Sequence, residues 1–139
     1  MGVVIKIWEE EGTKIPAPYE RIVKYLIGPD KDNRTDLKFN LAYCLISPHS
    51  KSDNHTHTDN EVIYVISGRG KATFGDGDKK IEIGPDVVLM SEVNERHQII
   101  NTGDEPIKLA TFHFPARTRK ESLDKNIESA LKAQKNMNK

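Results

Sequence analysis

The chain has 139 residues, 36% of them hydrophobic and 30% charged, with 21 Lys and Arg set against 21 Asp and Glu. That length suits one domain and is enough to bury a core without disulfide or metal staples. A formal net charge of zero gives no electrostatic footprint for nucleic acid or an acidic membrane, and the composition lies outside the low-hydrophobicity, high-charge corner of disordered chains.

At the N-terminus, Val3 to Trp8 is β-rich and reads as an edge or exchanged strand. The apolar stretch is too short for a signal peptide and runs into acid. Position 6 is Lys6, against myristoylation at Gly2. No run approaches the roughly 20 apolar residues that span a bilayer. The expected compartment is the cytoplasm, where the sequons at Asn33 and Asn54 are chance matches. Arg21 to Ile27 is a second strand candidate, closed by Gly28-Pro29-Asp30, and Pro29 to Thr35 reads as a polar loop.

Leu37 to Ser47 has strong strand character. Alternation puts Phe39, Leu41, Tyr43 and Leu45 on one face and Asn40, Ala42, Cys44 and Ile46 on the other. Cys44, the single cysteine, excludes an internal disulfide and reads as a small buried hydrophobe. Glu61 to Ile66 is apolar after its first residue, as in a strand covered on both faces. Ser67-Gly68-Arg69-Gly70 turns into Lys71 to Phe74, and Gly75-Asp76-Gly77-Asp78 turns into Lys79 to Ile83. Gly84-Pro85-Asp86 leads to Val87–Met90; His97–Asn101 and Ile107–Phe114 complete the strands.

Many short strands with turn signals between them indicate a sandwich or barrel. Pro115 marks a change of character. Residues 1–115 form the expected barrel and 116–139 a helical tail, with Leu123, Ile127, Ala130 and Leu131 as one narrow apolar stripe. The tail is expected to clasp the barrel or a partner subunit and to fray from Gln134.

The chemistry gathers in the histidines. His55 and His57 are two apart, so an extended strand projects both from one face. Glu61 follows four residues later, and His97 lies on a later strand that folding can bring opposite. Imidazole nitrogen and carboxylate oxygen suit zinc, iron, nickel and manganese. Singly, histidines in polar stretches are mostly surface residues; the ordered set carries the argument. His113 alternates with Thr111 and Leu109. It points either into a pocket, as an acid–base or substrate group, or outward into a subunit contact. Tyr43 is placed similarly, either as a pocket group or as an aromatic core residue.

This ordered set resembles the cupin superfamily, whose first motif reads G-x5-H-x-H-x3,4-E-x6-G. His55-Thr56-His57, Glu61 and Gly68 match it, with His49 at the leading glycine position. The second motif, G-x5,7-P-x-G-x2-H-x3-N, is met by Gly84, His97 and Asn101. The family's Pro-x-Gly is replaced by Glu92-Val93-Asn94, where Asn94 can supply the positive φ. The resemblance covers Leu37 to Pro115.

It implies an all-β double-stranded β-helix, a jelly-roll-like barrel, here with a C-terminal helix and often dimeric. It also implies one divalent transition metal (Fe, Mn, Ni or Zn) held by His55, His57, Glu61 and His97. Such a donor set leaves about two positions on a six-coordinate ion for a chelating oxyacid or sugar derivative. The expected function is a metal-dependent enzyme acting on a small oxygenated molecule, as dioxygenase, decarboxylase or lyase, or isomerase. A non-catalytic small-molecule binding or sensing module is the alternative. The expected assembly is a homodimer, with neither nucleic acid nor membrane as partner.

Overall fold

The computed structural model describes residues 2–31, 36–54, 56–76 and 79–138. Among the described residues, nine strands follow in chain order: β1 (Thr13–Ile15), β2 (Arg21–Ile27), β3 (Asn40–Ile46), β4 (Asn60–Ser67), β5 (Gly70–Phe74), β6 (Lys80–Ile83), β7 (Val88–Ser91), β8 (His97–Ile100) and β9 (Ile107–Phe114). A C-terminal helix, α1, spans Arg119–Met137. The strands form a six-stranded sheet, β1-β2-β3-β9-β4-β7, and a three-stranded sheet, β6-β5-β8, all antiparallel.

Alternation along β3, β4 and β9 decides what lies inside. In β3 the buried set is Asn40, Ala42, Cys44 and Ile46; in β4 it is Glu61, Ile63 and Val65; in β9 it is Ile107, Leu109, Thr111 and His113. The register lines these up in rows across the strands: Ile46 opposite Ile107, Cys44 opposite Leu109 opposite Val65, and Ala42 opposite Thr111 opposite Ile63. The last row is polar and sits at one end of the sheet, with Asn40 opposite His113 opposite Glu61 opposite Ser91. One end of the interior is therefore an apolar plug in which Ile46, Ile107 and Val65 are fully buried, each burial stabilising by about 1.5–3 kcal/mol. The other end carries Glu61 and His113.

Turn chemistry holds the path. Gly68 has a φ of 90° between β4 and β5, and a Cβ there would meet the Pro106 carbonyl oxygen at 2.5 Å. His49 and Asn94 take φ values of 59° and 63°, at the two positions where the resemblance asks for glycine and this chain has another residue. His49 is exposed, as expected of a loop residue. The Asn94 turn does more than reverse the chain: its N–H donates to the His57 carbonyl at 2.8 Å, tying the loop before β8 to the His57 segment.

Two sequence expectations fail at the termini. Residues Val3 to Trp8 form no strand; they are largely exposed and end in a single 3-10 turn over Ile7–Glu9. Their β propensity records a fit to a half-buried pleated surface, and none is offered there. The tail does not fray from Gln134. The helix runs on to Met137, and Gln134 donates Nε2–H to the Ala17 carbonyl at 2.6 Å. Among the described residues, no helix is long and apolar enough to cross a membrane.

Candidate metal centre

Three side chains meet at the polar end of the barrel. Glu61 comes from the start of β4 in the large sheet, His97 from the start of β8 in the small sheet, and His57 from the loop that enters β4. Each offers one ligand atom, and these atoms lie within 4.8 Å of one another. Both histidine Nε2 atoms approach the same carboxylate oxygen, Glu61 Oε2, at 3.0 Å from His57 and 3.1 Å from His97. All three residues are buried.

The electrostatics suit a cation. Burial alone raises the Glu61 carboxyl, but hydrogen bonds from His57 and His97 and the neighbouring imidazoles outweigh it and hold the group well below the usual carboxylate range. Burial lowers His97, yet Glu61 more than restores it and shifts it upward. A buried carboxylate kept ionised by two imidazoles is a hard oxygen and two borderline nitrogens facing one point, the donor chemistry that divalent transition metals take. The residues present fit such an ion. His55, the fourth ligand implied by the motif, lies outside the described residues.

Beside this cluster stands a second set. His113 projects inward, which settles its direction in favour of the cavity, and its Nδ1 lies 2.8 Å from Asp59 Oδ2. Its Nε2 faces Glu61 Oε2 at 3.9 Å. Arg117 donates Nη2–H to Asp59 Oδ1 at 2.7 Å and to His57 Nδ1 at 2.5 Å. Burial raises Asp59, but hydrogen bonds from His113 and Arg117 overcome it and lower the carboxyl. Arg117 lies on the strap between β9 and α1, and its main chain is pinned: its N–H donates to Asn40 Oδ1 at 2.8 Å and its carbonyl accepts from the Tyr25 hydroxyl at 2.5 Å.

His57, Glu61, His97, His113 and Arg117 line a cavity of about 70 Å³ together with Cys44, Ile99 and Thr111. Ser122 and Asn126 of α1 contribute to its wall, so the helix closes one side. Deeper, Arg21 and Asp53 form a buried ion pair at 3.1 Å.

Tyr43 does not belong here. It alternates out of phase with Ala42 and Cys44 and lies on the outer face of β3, so it is neither a pocket group nor part of the inner core. Asn101, which closes the second motif, is structural: its amide donates to the carbonyls of Ile46, Ser47 and Glu105. Asp59 and Arg117 were not legible as site residues. Asp59 does carry a signal, since His57, Asp59 and Glu61 continue a two-residue period. Arg117 carries none, falling in a stretch that reads as the start of a tail.

A family model described as the cupin domain matches residues 42–114. The chain belongs to the cupin family. Among curated relatives, this cupin is 29% identical over 128 residues to an L-ectoine synthase from Bordetella petrii, covering 82% of this chain and 95% of that one. Among solved structures, it resembles a predicted oxalate decarboxylase from Thermotoga maritima with a TM-score of 0.72 and 21% identity, covering 81% of this chain and 99% of the other. It also resembles an ectoine synthase from P. lautus with a TM-score of 0.70 and 18% identity, covering 89% and 86%. These structural likenesses show the fold.

Proposed function

We propose that this cupin is a metal-dependent enzyme that carries out a proton-transfer reaction of the lyase or isomerase kind on a small oxygenated molecule. The observation that carries the reading is the adjacency of two sets in one small cavity: the His57–Glu61–His97 donors and the Asp59-oriented imidazole of His113. A bound metal ion would polarise a carbonyl or carboxylate oxygen of the substrate. His57, Glu61 and His97 would hold it, with His55 as the fourth ligand. His113 would move the proton: Asp59 engages Nδ1 and leaves Nε2 toward the reacting centre, the division of labour that acid–base histidines use.

A dioxygenase needs open metal positions but no oriented acid–base pair, so this pair favours lyase or isomerase chemistry. The cavity of about 70 Å³ admits only a few water-sized groups. That favours a small chelating oxyacid, or one end of a sugar derivative, as the ligand. A relative named for ectoine synthesis and a structural neighbour named as a predicted oxalate decarboxylase lend support, since both names describe enzymes of small molecules. The reading includes a second copy of the chain as partner and a cytoplasmic setting.

The test is elemental analysis of purified protein followed by turnover. One transition-metal ion per chain is expected in the wild type, and little in His57→Ala, Glu61→Gln or His97→Ala. Loaded protein is then incubated with small 2-hydroxy and 2-oxo acids and followed by NMR. His113→Gln should retain metal and lose at least ~100-fold in rate. Full metal occupancy in the ligand variants would refute the site. Acids that displace metal-bound water without ever turning over would leave the binding-module reading in its place.

A further inference from the structure

A guanidinium can only donate hydrogen bonds. The 2.5 Å contact from Arg117 Nη2 therefore makes His57 Nδ1 the acceptor. A neutral imidazole carries one proton, so His57 holds it on Nε2 and gives it to Glu61 Oε2 at 3.0 Å. That is the wrong tautomer for ligation. A metal ion bound at Nε2 needs the lone pair there, which moves the proton to Nδ1 and sets one N–H against another. Ligation through Nδ1 would displace the guanidinium outright. On either nitrogen, a metal ion and Arg117 cannot share His57.

We propose that Arg117 is a latch on the metal site: metal binding at His57 releases its guanidinium, which then selects a ligand carrying a carboxylate. The proposal rests on the metal reading above and assigns a role to a residue outside the ligand set.

The release is local. The Arg117 main chain is held by Asn40 and Tyr25, so only the side chain shifts. Its remaining anchor is Asp59 Oδ1 at 2.7 Å, a carboxylate already engaged by His113 through its other oxygen. Among the described residues both contacts of the guanidinium run through Nη2, so losing His57 frees one Nη2–H, which with the neighbouring Nη1–H or Nε–H makes a vacant two-donor edge. Arg117 lines the cavity beside the three donor residues. A planar fork with a vacant edge matches a carboxylate in two-point fashion, which a hydroxyl or carbonyl does not offer.

The sign of the effect on metal affinity separates this role from an ordinary one. A residue that merely supports a ligand weakens metal binding by ~10–100-fold when removed. A latch strengthens it. Mn(II) binding to the full chain is measured by the free-ion electron paramagnetic resonance signal, for the wild type, Arg117→Gln and Arg117→Ala. Both variants should bind Mn(II) more tightly, by ~10-fold for one lost charge-assisted contact. Gln can also accept from Nδ1–H and should show the larger gain.

Glycolate is then added to each Mn(II)-loaded protein and water-proton relaxation recorded. The wild type should lose inner-shell water at ~10-fold or more lower glycolate than either variant. Circular dichroism checks that the variants fold. Weaker Mn(II) binding in folded Arg117→Gln, or equal glycolate response in all three proteins, would overturn the latch alone. A wild-type chain that takes up no Mn(II) would overturn the metal reading and the latch with it.

Discussion

Cys44 sits on the inner face of β3 between Ala42 and Ile46, and burial pushes its thiol up to about 11 against a weaker lowering by Arg21. The raised value favours the protonated folded state. Its stability contribution is complete below the unfolded thiol value of about 8.5 and is lost as pH climbs toward about 11. Two outcomes follow. Iodoacetamide should label native Cys44 far more slowly than it labels urea-unfolded chain, because the thiolate is the nucleophile. The denaturation midpoint should fall more steeply between pH 8 and pH 10.5 in the wild type than in Cys44→Ala; equal slopes would remove the argument. The same inner-face rule explains which site residues the sequence could reveal. Glu61 and His97 were legible because a motif fixes their spacing, and His57 because it pairs with His55. His113 was legible only to within a face, since alternation gives two directions and the register with Asn40 and Glu61 chooses between them. Arg117 was invisible because its place depends on Asn40 and Tyr25, which lie far away in the chain.

At the scale of elements, the helix start shows how a local signal holds a distant wall of the cavity. Thr118 caps α1: its Oγ1 accepts from the Glu121 N–H at 3.2 Å, while the Glu121 carboxylate accepts from the Thr118 N–H at 3.4 Å. This reciprocal pair satisfies backbone donors that the first turn leaves open. Thr118→Ala should cost about 1 kcal/mol in chemical denaturation, a fall in Tm of roughly 3–5 °C for a chain of this size. Because Leu123 and Ala130 bury the helix on the barrel, the helix should remain in place in that variant, and an unchanged Tm would deny the cap its role. The strands from β2 to β9 were legible because each is a short β-rich run with turn residues at its ends. β1 was not: Thr13–Ile15 is too brief to show a period and exists through its pairing with Arg21–Val23. The helix outlasted its narrow apolar stripe because Gln134 finds a carbonyl on Ala17, a tertiary contact that periodicity does not contain.

At the scale of the whole molecule, the larger sheet has a second face that the single chain leaves open. Alternation that sends Glu61, Ile63 and Val65 inward sends Val62, Tyr64 and Ile66 outward. The register sets Val62 beside Met90 on one side and Phe112 on the other, and Tyr64 beside Val88 and Ala110. Leu41 and Tyr43 continue the two rows on β3. At the open edge Val88 is 60% exposed and Met90 54%. A contiguous apolar face across several strands is more than scattered surface hydrophobes, and such patches mark contact sites. The face is built from one chain's own pattern, so a two-fold pairing with a second copy covers both at once. A stable pairing buries on the order of 1,600 Å² in total. Light scattering at micromolar concentration should return twice the mass of the chain. Val88→Glu and Met90→Lys place charges at the edge of the face without touching the interior, and together they should return the single-chain mass with the metal site intact. A single-chain mass for the wild type, or a dimer that ignores both charges, would show that another surface or no surface makes the contact.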